Sequence, residues 1–267
     1  MSAKLEVRIT GVGAWAPGAP DWKHLRGILR GESAPADDDA PARPAGAVLP
    51  TAERRRAPDG VRLAADVAAQ ATSMAGVDPA TVPCIFASTH GEIGITDYVC
   101  ETLAHAPLEL SPTKFHNSVL NAPAGYWTIA TGCTAASSAV SAHHRSFAAG
   151  LLEAAVFACT EGTPALFASC DVASSGPLVE MTCTRLAFGV AFLLVPGGST
   201  GTAIDLALDG TAHEPFAGAG LALSAVAGDN PANAHALALL QRLAAETTSR
   251  LHLPLSTGLS LDIEITP

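Results

Sequence analysis

The chain has 267 residues, of which 48% are hydrophobic and 15% charged, and its formal net charge is −10 with a pI near 5.3. This apolar content allows a sizeable core and excludes disorder as the main state. The negative charge disfavours binding to nucleic acid, because the phosphates would repel it. The longest apolar run ends at Pro196 and is too short to span a bilayer. The N-terminus has no apolar stretch typical of a secretory signal, so we expect a cytoplasmic protein.

Six cysteines are present, and no two of them form a CxxC pair. Most of them stand in apolar surroundings such as VFAC and LFASC. This pattern favours buried free thiols over a disulfide framework or a metal site, and neither a metal nor a cofactor is expected. The cysteines are Cys84, Cys100, Cys133, Cys159, Cys170 and Cys183.

The N-terminal segment alternates in hydrophobicity from Leu5 to Val12 and predicts a strand. A GxG follows it, which is one feature of a dinucleotide loop. However, Pro17 and Pro20 stand where the phosphate-binding helix would begin, so a nucleotide site is disfavoured. Residues 32–60 are rich in Pro, Ala and Asp and predict an exposed, extended loop. Within it, Arg54–Arg56 indicate a solvated helix start or a local ion pair, with a partner-docking patch as the alternative.

The remaining pattern predicts an α/β protein. The first predicted elements are a helix from Val61 to a C-capping Gly76, a strand over 82–89, a helix over 96–103 and a helix over 121–132. They are followed by a strand over 137–142, a short helix over 143–153 and a strand over 154–159. Residues 185–195 and 202–208 predict two antiparallel strands joined through PGGSTG, and the chain closes with a long helix over 231–250 and a strand over 259–265.

Several segments, in this order and spacing, resemble the thiolase-like condensing enzymes, the β-ketoacyl synthases. They are VRITGVGAWAP, GVRLAADVAAQATSMAGVDPATVPCIFASTHG, LSPTKFHNSVLNAPAGYWTIATG, AAVFACTEG and LAFGVAFLLV. The form FHNSVxNAxAGYWxIATG in a short chain is most similar to the truncated synthase-like subunits of aryl polyene pathways, the chain-length factors. The resemblance implies the N-terminal half of the ketosynthase fold, with a mixed, largely parallel sheet flanked by helices. Residues 1–267 would form one truncated domain, with a divergent helix and strand in 211–267.

The family places a catalytic cysteine at a sharp turn between a buried strand and a buried helix, where the helix N-terminus favours the thiolate. Counting back from the strand after that helix, the family spacing reaches Cys133, whereas counting forward from AsnAlaProAlaGly it reaches His144. Cys133 directly follows Gly132 at a helix end, with no strand before it. We therefore prefer the forward count, which puts His143 and His144 at the turn. A histidine cannot form the acyl-thioester, so no catalytic nucleophile is expected, with Cys133 and His144 as the fallback pair.

Decarboxylative condensation also needs two histidines, which the family supplies in HGTxT-like and NxxFGFGGxN-like motifs. Neither motif occurs in this chain. The histidines of its C-terminal part, His213, His235 and His252, stand in other contexts. Adjacent His143 and His144 would point about 100° apart on a helix, which disfavours chelation of a metal. A complete condensing site is therefore not expected.

The resemblance implies a non-catalytic subunit that pairs with a full-length β-ketoacyl synthase and shapes its acyl tunnel in polyene- or polyketide-type biosynthesis. Phe115 stands where chain-length factors carry a gating aromatic residue, and His116 and Asn117 would lie around the tunnel. We expect the interface to be formed by Asn121, Tyr126, Trp127, Ser137, Ser138 and Val140. Since Tyr126 and Trp127 are adjacent on a helix, one should pack in the core and the other at the interface. An acyl carrier protein would act only indirectly, because it is acidic like this chain.

Two other functions stay open on the sequence alone. The first is a minimal acyltransferase or condensing enzyme that uses Cys133 with a nearby histidine. The second is a homodimeric scaffold with no role in the tunnel.

Overall fold

The computed structural model describes residues 4–36, 43–210 and 224–267. Among these residues an eight-stranded mixed sheet has the strand order β3-β2-β4-β5-β1-β6-β8-β7. The strands are β1 (Lys4–Trp15), β2 (Cys84–Ala87), β3 (Ser137–Val140), β4 (Ala165–Asp171), β5 (Phe188–Pro196), β6 (Thr202–Asp209), β7 (Ser249–Ser256) and β8 (Leu259–Thr266). Only β2–β3 and β2–β4 are parallel among the seven pairs of neighbours, so the sheet is mixed as predicted but mostly antiparallel.

Helices cover both faces of the sheet. The helices are α1 (Trp22–Leu29), α2 (Thr51–Arg56), α3 (Asp59–Ala75), α4 (Ile93–His105), α5 (Pro112–His116), α6 (Ala122–Thr131), α7 (Ser146–Glu161), α8 (Leu178–Thr182), α9 (Ser224–Asp229) and α10 (Ala234–Ala245). One face of the sheet packs against α3 and α6 in a single apolar cluster. The other face packs against α1, α7 and α10, which bury mainly alanine, leucine and phenylalanine side chains.

The predicted helix from Val61 is confirmed as α3, and it ends at Gly76 in a left-handed cap with φ 67°. The predicted helix over 121–132 is confirmed as α6, which Gly132 ends in the same way. The GxG motif forms no phosphate loop, because Gly11 and Gly13 lie inside β1. A Cβ atom added at Gly13 would lie 1.9 Å from the carbonyl oxygen of Val67, so the glycines let α3 pack directly on β1.

The predicted strand over 154–159 is wrong. These residues belong to α7, a continuous helix that runs from Ser146 to Glu161 and is followed by Gly162 with φ 65°. The strand comes later, as β4, and all seven of its residues are buried. A short run of apolar residues such as AAVFAC fits a buried helix as well as a buried strand, so hydrophobicity alone could not separate them.

The segment PGGSTG does not close a hairpin between β5 and β6. Both strands pair antiparallel with β1, on opposite sides of it, because β1 is long enough to serve both. The Arg8 guanidinium holds the connection by donating to the carbonyl oxygens of Gly198 at 2.9 Å and Gly201 at 2.8 Å.

The C-terminal part differs from the expected single helix and strand. The helix α10 ends at Ala245, and Glu246 follows with φ 51°. Ser249 then begins β7, which pairs antiparallel with β8. The expected loop over 32–60 also contains α2 and the start of α3, while residues 37–42 lie outside the described part of the chain. None of the helices in the described residues is long and apolar enough to cross a membrane.

Candidate functional site

The turn between β3 and α7 is the strand–turn–helix element to which the forward count assigns the nucleophile position. The turn residues 141–145 read SAHHR, and His143 adopts φ 53°, a left-handed conformation that is uncommon for residues other than glycine. The hydroxyl of Ser146 holds this turn by donating to the His143 carbonyl at 2.6 Å and accepting from the Ala142 N–H at 2.9 Å. The turn is therefore sharp and fixed, and it carries the two adjacent histidines His143 and His144.

Cys133 lies away from this turn. It follows Gly132 at the end of α6, it is buried, and its thiol contacts the Val82 carbonyl oxygen at 3.4 Å. Val82 precedes β2, and β3 runs parallel to β2, so Cys133 and the turn lie at opposite ends of these short strands. Burial raises the pKa of the neighbouring Cys84 thiol to about 12, and Cys133 adds to this shift.

Three imidazoles gather at the turn. The ring centroids of His143 and His144 are 3.9 Å apart, and those of His90 and His143 are 5.7 Å apart. Burial lowers the pKa of both His90 and His144, and the charge on His143 lowers each further. The described residues contain no group of three or more His, Cys, Asp or Glu that could hold a metal ion.

A fourth imidazole approaches from α10. Burial lowers the pKa of His235 to about 4, and a contact with the His144 backbone partly opposes this shift. The sequence context of His235 matched no family motif, so its place beside His144 follows from the fold and not from a local signal. His252 lies on β7 near Asp262, far along the sheet from β3, and His213 lies outside the described residues.

A buried carboxylate supports the loop that carries His90. Asp171 ends β4, and its Oδ1 accepts hydrogen bonds from the Ser88 hydroxyl at 2.8 Å and the Thr89 N–H at 2.9 Å. Its Oδ2 accepts from the Asn233 side-chain amide at 2.9 Å. Burial raises the pKa of Asp171 to about 6, although these donors oppose the shift. Sequence reasoning missed this network; an aspartate at the end of the run LFASCD was the available signal.

The raised pKa of Asp171 makes its contribution to stability depend on pH. The native state holds this proton up to about pH 6 and the unfolded state only to about 3.8, so stability is lost as pH rises between those values. Asp171→Asn cannot ionise. Relative to the wild type it should gain about 2.4 kcal/mol of unfolding free energy between pH 4 and pH 8. Urea unfolding at both pH values measures this gain.

Glu161→Gln is the matched control for this experiment, because Glu161 is exposed at the end of α7. Its difference from the wild type should stay within about 0.5 kcal/mol across the same range. A difference between Asp171→Asn and the wild type that is constant with pH would contradict the assignment.

The proposed tunnel residues lie on and after α5. Phe115 is 60% exposed. His116 is also exposed and lines a cleft together with Glu53 and Arg56. Asn117, in contrast, is buried, and its side chain is hydrogen-bonded within the chain. Its side-chain amide donates to the Arg56 carbonyl at 3.0 Å, and its Oδ1 accepts from the Tyr126 hydroxyl at 3.0 Å.

The proposed interface residues divide into two groups. Asn121 and Ser137 are exposed, and Ser138 and Val140 are half-buried on the edge strand β3. Tyr126 and Trp127 point to different sides, as expected for neighbours on a helix, but both are buried in separate clusters of this chain. This differs from the expectation that one ring faces a partner. The reason is that α3 lies against α6, which leaves both rings inside the chain.

The sheet order, the layers of helices and the β3–turn–α7 element together define a thiolase-like ketosynthase fold. The sequence matches the family model described as "Beta-ketoacyl synthase, N-terminal domain" over residues 29–256. The chain therefore belongs to the β-ketoacyl synthase N-terminal domain family. No curated protein matches it in sequence.

Solved structures that share this fold include three ketosynthase complexes. A chain of the ketosynthase ApeO in complex with its chain length factor ApeC, from Xenorhabdus doucetiae, superposes with a TM-score of 0.73 at 23% identity, covering 97% of this chain and 99% of that chain. The type II polyketide synthase complex AntDE:AntF, an acyl-carrier protein with its ketosynthase, superposes with a TM-score of 0.75 at 13% identity, covering 99% of both chains. The ishigamide ketosynthase/chain length factor superposes with a TM-score of 0.69 at 15% identity, covering 97% of this chain and 98% of that chain.

Proposed function

We propose that this protein is a non-catalytic ketosynthase-like subunit, a chain-length factor, that pairs in the cytoplasm with an active β-ketoacyl synthase and shapes its acyl tunnel in polyene- or polyketide-type biosynthesis. The observation that carries the proposal is the turn between β3 and α7. It keeps the sharp geometry of a nucleophile turn, yet His143 and His144 stand there and Cys133 lies at the other end of β3. An imidazole cannot replace a thiolate in forming an acyl-thioester.

The free edge of β3 supports pairing with a partner. Within the described residues β3 bonds only to β2, so its other side presents unpaired backbone groups. On another part of the chain, α4 buries only Ile93, and large apolar side chains stand exposed on α4, α5 and the turn between them. They are Leu103, Leu108 and Phe115. Exposed apolar surface of this kind is typical of a protein–protein interface.

Two of the structures with this fold are complexes of a ketosynthase with its chain length factor, and the third is a ketosynthase with its acyl-carrier protein. These complexes favour a ketosynthase as the partner. With a net charge of −10 this subunit would attract an acidic carrier protein poorly, so the synthase would supply the basic docking surface.

Co-expression with a full-length β-ketoacyl synthase encoded nearby tests the proposal. We expect a one-to-one complex by size exclusion with mass measurement, and turnover that persists when Cys133 is replaced by alanine. A Cys133→Ala complex that assembles but makes no product would instead support the condensing-enzyme alternative. A homodimer that forms no complex with the co-expressed synthase would support the scaffold alternative.

Phe115→Ala in the reconstituted complex should shift the products toward longer chains by one or more two-carbon units without abolishing turnover. The expected cause is steric, because a ring that blocks the tunnel end would no longer exclude further units. Mass spectrometry of the released chains measures the shift, with the equally exposed Met181→Ala as a control that lies on α8. An unchanged product length with turnover intact would show that Phe115 does not line the tunnel.

A further inference from the structure

Three consecutive arginines stand on the short helix α2. Arg54 is half-buried, and Arg55 and Arg56 are exposed. Arg56 forms an ion pair with Glu53 at 2.5 Å, whereas the guanidinium groups of Arg54 and Arg55 have no ion-pair or hydrogen-bond partner in the part of the chain that the structure describes. A chain in which 25 acidic side chains outnumber 15 basic ones therefore leaves two adjacent arginines available to an outside carboxylate.

The helix α2 is held in place through its backbone carbonyl groups. None of its residues is buried. The Arg62 guanidinium, on α3, donates to the carbonyl oxygens of Arg54 at 2.7 Å and Ala57 at 3.2 Å. The buried Asn117 side chain donates to the Arg56 carbonyl oxygen at 3.0 Å. These bonds fix the backbone of α2 to α3 and to the end of α5, and the arginine side chains of α2 take no part in them.

The helix α5 adds basic side chains next to those of α2. Arg56 and His116 line one cleft, which joins the two helices and also contains Glu53. Lys114 is exposed on α5, and its Nζ lies 3.5 Å from the centre of the Tyr98 ring. The α2–α5 basic surface consists of Arg54, Arg55, Arg56, Lys114 and His116. The arginines and the lysine carry permanent positive charges, of which the Glu53 carboxylate offsets one.

We infer that the α2–α5 basic surface binds a carboxylate-rich peptide segment of a partner protein. A guanidinium group can donate two parallel hydrogen bonds to one carboxylate, so adjacent arginines suit such a segment. A short peptide can place its carboxylates on this surface alone, whereas a nucleic acid would also extend over the rest of a chain whose net charge is −10. The inference goes beyond the proposed function and does not depend on a synthase.

Fluorescence anisotropy of a labelled octaglutamate peptide, titrated with the purified full chain at about 50 mM salt, tests the inference. Arg55→Glu should weaken binding about tenfold, because an attraction becomes a repulsion. Lys114→Glu should weaken it by a similar factor, because α5 contributes to the same surface. Lys23→Glu is the matched control, since Lys23 is exposed on α1 and the substitution changes the net charge by the same amount. It should change the affinity by less than about twofold.

The absence of peptide binding at this salt concentration would overturn the inference. So would equal weakening by Arg55→Glu and Lys23→Glu, or tighter binding of an octathymidylate strand than of the peptide. The thermal midpoint of each variant checks the fold, and we expect it to stay at the wild-type value because the substituted side chains are exposed. Because these measurements use the chain without a synthase, their failure is distinguishable from failure to form the proposed complex.

Discussion

Gly13→Ala should cost about 4 kcal/mol or more of unfolding free energy, enough to bring a protein of ordinary stability close to unfolding. The new Cβ atom would lie 1.9 Å from the Val67 carbonyl oxygen and 2.8 Å from its carbon, both backbone atoms of α3. Neither can rotate away, so α3 must move off the sheet. That movement would also break the bonds of Gln70, whose Oε1 accepts from the Ala14 N–H at 3.0 Å. Urea unfolding of the purified variant measures the loss.

Gly125→Ala is the matched control for this substitution. Gly125 lies exposed within α6, and a Cβ atom added there meets nothing within 4 Å. The same chemical change should therefore stabilise the chain by about 0.5–1 kcal/mol, since alanine favours a helix over glycine. Equal effects of the two substitutions would show that α3 does not pack on Gly13 as described.

Ala139→Pro should weaken the complex with the synthase about a hundredfold while the chain stays folded. The Cys84 N–H donates to the Ala136 carbonyl and the Ser88 N–H to the Val140 carbonyl, so even-numbered residues of this segment face β2. The N–H of Ala139 therefore points to the open edge, where proline removes a donor without breaking the ladder to β2. Loss of edge pairing of about 3 kcal/mol would weaken the complex about a hundredfold.

Two measurements decide this prediction. Size exclusion of the co-expressed pair reports the complex, and the thermal midpoint of the variant alone reports its fold. Ala139→Ser keeps the N–H and should bind as the wild type does. A proline variant that is folded and still forms the complex at wild-type affinity would exclude β3 as the interface.

Local sequence signals were enough to predict those helices and strands whose hydrophobic periodicity and end residues agree. The helix α3 has an apolar stripe and a C-capping glycine, α6 lies between Asn121 and Gly132, and β8 alternates in hydrophobicity. These features depend on neighbours within one or two turns of chain, so the sequence carries them directly. The turn with His143 and His144 was placed differently, by the spacing that the family resemblance implies and by the predicted strand before it.

Other features depend on contacts between distant residues. The run AAVFAC became part of α7 because it packs beside β4, and β5 and β6 were separated because β1 lies between them. Asp171 and Asn233 are 62 residues apart in the chain, yet their side chains meet at 2.9 Å. His235 reaches His144 only because α10 covers α7. The sequence by itself therefore determined the class of fold, since the segments that carry the family resemblance depend on residue types at local spacing. Only the tertiary structure decided the edge strand and the buried carboxylate, since these depend on which distant segments pack together.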